Sequence, residues 1–164
     1  MFKNKIQFFV VLGFCLLFTL TSAKAVESPS KRVPAEWEPQ EAIWLQWPGR
    51  WEKTYEPAFA KFSRIIADYQ KLHILFHSKK VEQQARDAIT AAGGNADHEN
   101  IIWHRIANDI AWMSDNGPVY IEEAGEMKLQ NWEFDAWGGA FGPDVGYHLD
   151  NRVPDAVAAY LGLP

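Results

Sequence analysis

The chain has 164 residues, 48% hydrophobic and 23% charged, with 16 Lys and Arg against 21 Asp and Glu for a net charge of −5. That composition supports a packed core and excludes a disordered chain, and its acidity argues against nucleic acid or an anionic membrane as partner. Of its eight tryptophans all follow residue 36, and its one cysteine is Cys15, so residues 16–164 hold neither a disulfide nor a thiol nucleophile.

Residues 1–25 read as a secretory signal peptide. Lys3 and Lys5 give a basic start, Ile6 to Leu20 is an apolar run, and Ala23-Lys24-Ala25 offers the small residues that a signal peptidase needs, which predicts cleavage after Ala25. The run is about 15 residues, short of the ~20 that a membrane-spanning helix needs. A lipid-anchored reading of Cys15 fails because Phe14 precedes it and the apolar run continues past it. The implied location is secreted or periplasmic, with no membrane association after cleavage. Loss of Lys3, Lys5 and Lys24 leaves 13 basic residues against 21 acidic and takes the charge from −5 to −8, a balance compatible with cationic ligands.

Residues 26–31 read as a mobile polar leader and 32–164 as the folded part. Pro34 and Pro39 rule out an uninterrupted helix there. Ile43 to Trp47 reads as a strand ended by Pro48-Gly49. Tyr55 to Lys71 reads as a helix with Phe59, Phe62, Ile65, Ile66 and Tyr69 on one stripe and Pro57 in its first turn. Leu72 to Phe76 is apolar enough for a strand buried on both faces. A helix follows over Lys79 to Ala92, stopped by Gly93-Gly94, then a strand over Asn100 to Ile106.

After these alternating strands and helices, Asn108 to Pro118 forms a polar turn. Val119 to Glu122 and Glu126 to Asp135 read as a hairpin about Gly125. Gly138 to Gly146 reads as a flexible loop, and Asn151 to Leu161 as a last helix capped by Asp150 or Asn151. The fold class is α/β.

The chemistry concentrates in Asn108 to Gly139. Asp109 and Asp115 flank Trp112, and a carboxylate beside an indole suits a flat cation: the acid takes paired N–H donors while the ring takes the cation's face. A guanidinium fits best. The plainer reading, a solvated turn with a buried tryptophan, stays open on local chemistry alone. His73, His77, His98, His104 and His148 show no metal-ligand spacing. His73 and His77 lie on a strand and share no helix face, and His148 reads as a surface residue before a helix cap. Trp37, Trp44 and Trp47 read as core residues. Gly138-Gly139 lacks the context of a phosphate loop.

Two motifs carry a resemblance. One runs Arg32-Val33-Pro34-Ala35-Glu36-Trp37-Glu38-Pro39-Gln40-Glu41-Ala42-Ile43-Trp44-Leu45-Gln46-Trp47-Pro48. The other joins Asn108-Asp109 and Trp112-Met113-Ser114-Asp115-Asn116-Gly117-Pro118 to Trp132-Glu133-Phe134-Asp135-Ala136-Trp137-Gly138-Gly139. Over residues 32–164 the chain resembles agmatine deiminases and bacterial-type peptidyl-arginine deiminases, a branch of the guanidine-modifying pentein enzymes.

The resemblance implies a partial pentein, about the first two blades of a five-bladed α/β propeller. It implies hydrolysis of a guanidine to a ureido group plus ammonia, a family role in arginine and agmatine breakdown and putrescine formation, and no cofactor or metal. Partners would be a small guanidine compound or an arginyl peptide; the choice between them and the oligomeric state are left open. In the family a thiolate attacks the guanidinium carbon, and a histidine protonates the leaving ammonia and then activates water. The cysteine, histidine and acidic residue of that step, and an E-G-G motif expected after Pro164, have no counterpart in this sequence. The expectation is therefore an N-terminal fragment with no turnover of its own, exposed strand edges and poor solubility. The resemblance makes Asp115 the substrate-binding carboxylate and Trp112 a pocket wall, with Asp109 a second candidate that a turn could equally employ. Ser114 stands where the family has arginine, Ala140 where it has lysine, and one extra residue separates Asp109 from Trp112. The alternative is a non-catalytic secreted module that binds guanidinium or other cations through Asp115 and Trp112. A glycosidase would need two acids at a set separation, for which Asp109 and Asp115 give no evidence.

Overall fold

The computed structural model describes residues 30–49 and 51–164; the signal-peptide expectation and most of the leader lie outside the described residues. Two three-stranded sheets organise the chain, one parallel and one antiparallel.

The parallel sheet comes from β2 (Ala42–Gln46), β3 (Lys71–Leu75) and β4 (Ile101–His104), with β3 in the centre. Between the strands run α1 (Glu56–Ala67) and α2 (Lys79–Ala91). Pro57 sits in the first turn of α1, where its missing N–H costs nothing, and Ser78 caps α2 by accepting from the Val81 N–H at 3.4 Å. Leu72 to Leu75 are all buried, as a strand covered on both faces requires. On one face Leu45, Trp47, Leu72, Ile74 and Ile101 pack with Ala60, Ala67, Ala85 and Ile89 of the helices. On the other, Leu75 meets Val153 and Val157 of α5 (Val153–Leu161), with Trp44, Ile106, Met113 and Leu129 around them.

The antiparallel sheet joins β1 (Lys31–Arg32), β5 (Val119–Glu123) and β6 (Glu126–Gln130), the last two as a hairpin across Gly125. Arg32 forks between Glu38 at 2.7 Å and Glu122 at 2.6 Å, and Lys31, expected in the leader, is instead strand, paired with Glu123 of β5. The final residues close on this sheet, with the Leu129 N–H donating to the Pro164 carbonyl at 3.1 Å.

Several expectations need correction. Of the α1 stripe, Phe59 and Ile66 pack against the core as expected, but Phe62, Ile65 and Tyr69 are 55%, 45% and 84% exposed, and Ala60, Ser63 and Ala67 are the residues of the helix that are fully covered. Trp37 is not core but 89% exposed, whereas Trp47 is buried as expected. The third strand stops at His104, the second hairpin arm at Gln130, and the last helix begins at Val153 after a single 3₁₀ turn, Asp150–Arg152. Neither Asp150 nor Asn151 caps α5. Both side chains reach away to other segments. The glycine-rich stretch opens with a turn, α4 (Ala136–Gly139), in which Ala136 and Trp137 adopt left-handed φ of 56° and 55°.

Candidate functional site

The polar turn leaves β4 and enters α3 (Met113–Asn116), a single helical turn with Trp112 at its N-cap and Gly117 at its C-cap. Gly117 is required here, because a methyl at that position would drive into the Met113 carbonyl oxygen. Asp115 is exposed on this turn. Its Oδ1 accepts the indole N–H of Trp137 at 3.2 Å and its Oδ2 the Ser114 hydroxyl at 2.9 Å. Trp112, 46% exposed, meets Tyr55 edge-on at 6.2 Å. Trp137, 41% exposed, is braced edge-on by Phe134 at 5.0 Å and Phe141 at 5.1 Å. The turn thus presents one solvent-facing carboxylate held in place by an indole, with two partly exposed indoles, Trp112 on the turn itself and Trp137 on a neighbouring segment.

Asp109 does different work. Its Oδ2 accepts the Leu149 N–H at 3.0 Å and its own N–H donates to Asp150 Oδ1 at 2.9 Å, so it staples the turn to the segment before α5. Trp137 had been visible in the sequence only as part of a motif. Its contact with Asp115 spans 22 residues and depends on backbone angles that no local pattern encodes.

Beneath the turn lies a buried polar layer that sequence reading missed. Asp150 is fully buried, with Oδ1 accepting from the Asp109 and Ile110 amides and, at 3.5 Å, from Gln46 Nε2. Burial, with smaller contributions from the charges of Asp109 and Glu52, pushes its carboxyl up to about 7. Glu52, 6% exposed, accepts the Gly49 N–H at 3.4 Å. Burial raises its pKa, while the N–H groups of Gly49, Ala111 and the Trp112 indole pull the other way. Neither the Ala111 amide nor the indole closes to a well-aligned bond, and Glu52 Oε1 is left without a partner.

A second buried pair lies in the parallel sheet. His73 Nδ1 and His104 Nε2 stand 2.7 Å apart and share one hydrogen bond, with His73 stacked on Trp44 and His104 tilted to it. Burial lowers both pKa values, that of His104 to about 4. His73, Trp44, Tyr120 and Ser114 line a groove of about 910 Å³ between the two sheets; Asp115 and Trp112 do not line it. Among the described residues no group of three or more His, Cys, Asp or Glu gathers to hold a metal.

The profile of the Porphyromonas-type peptidyl-arginine deiminases matches residues 32–164. The chain belongs to that family. Among curated relatives, agmatine deiminase of Pseudomonas aeruginosa (strain LESB58) is 34% identical over 134 residues, covering 77% of this chain and 33% of its own length. Agmatine deiminase of Pseudomonas syringae pv. tomato is 31% identical over 133 residues, covering 76% and 34%. The chain therefore spans about a third of the length of the curated relatives it matches. A solved agmatine deiminase of C. jejuni with substrate bound superposes with a TM-score of 0.68 at 18% identity, over 85% of this chain and 40% of that one. The chain thus shares its mixed α/β fold with the matching part of that enzyme.

Proposed function

We propose that this chain carries the guanidinium-holding turn of a secreted deiminase that converts a guanidine and water to a ureido group and ammonia. The observation that supports it most is Asp115. An exposed carboxylate, fixed by the Trp137 indole, stands at the motif position while two indoles lie partly open to solvent. Asp115 takes paired N–H donors from the ligand, and Trp112 and Trp137 offer ring faces to its plane. Asp109 supports the turn from behind. Ser114 offers Asp115 only a hydroxyl where the family has an arginine. In this reading the two sheets are the first two blades of a five-bladed ring. The substrate is agmatine, free arginine or a peptidyl arginine, and export favours an external one.

The 164 residues bind and position the guanidinium; the thiolate and histidine steps belong to no residue of the folded part. The acidic surface and the lack of any cysteine past Cys15 favour a second reading, a secreted cation-binding module. Calorimetric titration with agmatine and with putrescine tests the first. Saturable binding of agmatine and at least tenfold weaker binding of putrescine, which lacks the guanidine, is the expected result; equal binding of both would favour a general cation module, and binding of neither would remove both readings. Ammonia release from agmatine by the purified chain would contradict binding without turnover.

A further inference from the structure

Consecutive N–H groups of the turn, from Asp109 to Trp112, face carboxylates that come from elsewhere in the chain. Asp150 Oδ1 accepts from the amides of Asp109 at 2.9 Å and Ile110 at 3.4 Å. Glu52 lies near the amide of Ala111 and the indole N–H of Trp112, and its Oε2 accepts the N–H of Gly49 at 3.4 Å, a residue packed so closely on the Asp109 carbonyl that a Cβ there would stand 2.9 Å from it. The two acids sit on opposite sides in sequence, Glu52 before α1 and Asp150 before α5, yet both are buried and both leave one oxygen unpartnered. Burying two half-satisfied carboxylates is costly, and an apolar or amide residue would fill either place at less expense. A hydrogen-bond donor array met by negative charge is held more firmly than one met by a neutral acceptor.

We propose that Glu52 and Asp150 are positioning residues for the guanidinium site: Asp150 holds the backbone of Asp109 and Ile110, Glu52 sits against the Ala111 amide and the Trp112 indole, and between them they set the turn that presents Asp115. The inference rests on the cation-holding reading of that turn. Asp150 acts through its ionised form. The charged groups that face it are Asp109 on the turn and Glu52 on the loop after β2; Gln46 at the end of β2 is neutral. As Asp150 loses its proton the amides of Asp109 and Ile110 bind a full negative charge, the turn stiffens, and the ligand meets Asp115 and Trp112 already in place. A guanidinium ligand keeps its own charge across this range.

The test is a ¹⁵N–¹H nuclear magnetic resonance titration of the full chain between pH 5 and pH 8.5 (about the range over which the fold holds and Asp150 ionises), with agmatine affinity measured at both ends. Wild type, Asp150→Asn and Glu52→Gln are compared, and the Trp112 indole signal is identified by its loss in Trp112→Phe. The expected result has the Asp109 and Ile110 amides shifting together with a midpoint near 7, no such step in Asp150→Asn, and a displaced Trp112 indole signal in Glu52→Gln. Agmatine should bind wild type about threefold or more tightly at the upper pH, a difference that Asp150→Asn abolishes. Amides without a common step in wild type, which needs no variant to fold, would overturn the proposal. So would an indole signal unmoved by Glu52→Gln, or agmatine affinity that is the same at both pH values. A wild-type chain that binds no agmatine at any pH overturns instead the cation-holding reading, and the role assigned to these two acids goes with it.

Discussion

Trp137 donates its indole N–H to Asp115 Oδ1 across 3.2 Å while its own backbone stands at φ 55° and ψ 45°. A bulky residue in the left-handed region costs of order 1 kcal/mol, and Ala136 beside it is held the same way. Such strain persists only where surroundings enforce it. Here they are the Asp135 side chain accepting from the Gly138 N–H at 2.8 Å, and the Phe134 and Phe141 rings against the indole. The result is that a carboxylate on one segment and an indole on another are locked together at the surface.

Trp137→Phe keeps a ring and removes the donor. Asp115 is then freed, and the entropy of fixing it falls on the ligand. Agmatine affinity should drop roughly three- to tenfold, with stability changed by less than about 1 kcal/mol because the lost hydrogen bond is exposed. Calorimetry and a urea melt check the two halves separately.

Gly117→Ala should be far more damaging than an ordinary surface substitution. The added methyl meets the Met113 carbonyl, a backbone atom of α3 that cannot rotate away. The turn must open, and the expected cost is about 2 kcal/mol or more in a urea melt, with loss of agmatine binding.

The corrected face of α1 has a direct consequence. Ala67 is 2% exposed against the sheet, so Ala67→Leu should cost about 2 kcal/mol by overpacking, whereas Phe62→Lys, on the exposed side, should stay within about 0.5 kcal/mol and improve solubility. Equal costs at the two positions, measured by denaturant melts, would restore the stripe that periodicity suggests.

Two buried groups make stability depend on pH in opposite senses. His104 titrates at about 4 in the folded chain against 6.5 for a free histidine, so the unfolded chain takes up its proton first. Its contribution is lost as pH falls from about 6.5 to about 4, by up to about 3 kcal/mol. Asp150 titrates at about 7 against 3.8, so below 3.8 its contribution is full, and it is lost as pH rises towards 7, by up to about 4 kcal/mol. Asp150→Asn removes only the second effect. The variant should gain stability over wild type progressively between pH 4 and pH 7; a constant difference across that range, in urea midpoints, would mean that Asp150 is ionised throughout.

Much of the scaffold was legible because local pattern and tertiary packing agree there. Leu72 to Leu75 and the Gly125 hairpin both follow from composition and turn residues. The face of α1 was legible only in part: Phe59 and Ile66 of the apolar stripe lie on it, but Ala60, Ser63 and Ala67 carry little hydrophobic signal. The turn at 108–118 was legible as a motif. Its supports were not: Glu52 drew no reading and Asp150 read as a helix cap, and nothing local says that side chains so far along the chain on either side converge beneath the turn. Asn151 illustrates the same limit, its side chain accepting the Phe134 N–H at 2.6 Å instead of capping α5.

The most direct measurement is agmatine binding by wild type and Asp115→Asn, in chains shown by urea melts to be equally stable. The substitution keeps the shape of the side chain and an acceptor for the Trp137 N–H but removes the negative charge. Charge-assisted hydrogen bonds to a guanidinium are worth about 1.5–3 kcal/mol, so affinity should fall roughly tenfold to a hundredfold. Equal affinities for the two chains would contradict the central assignment, because the carboxylate at 115 would then take no part in holding the cation.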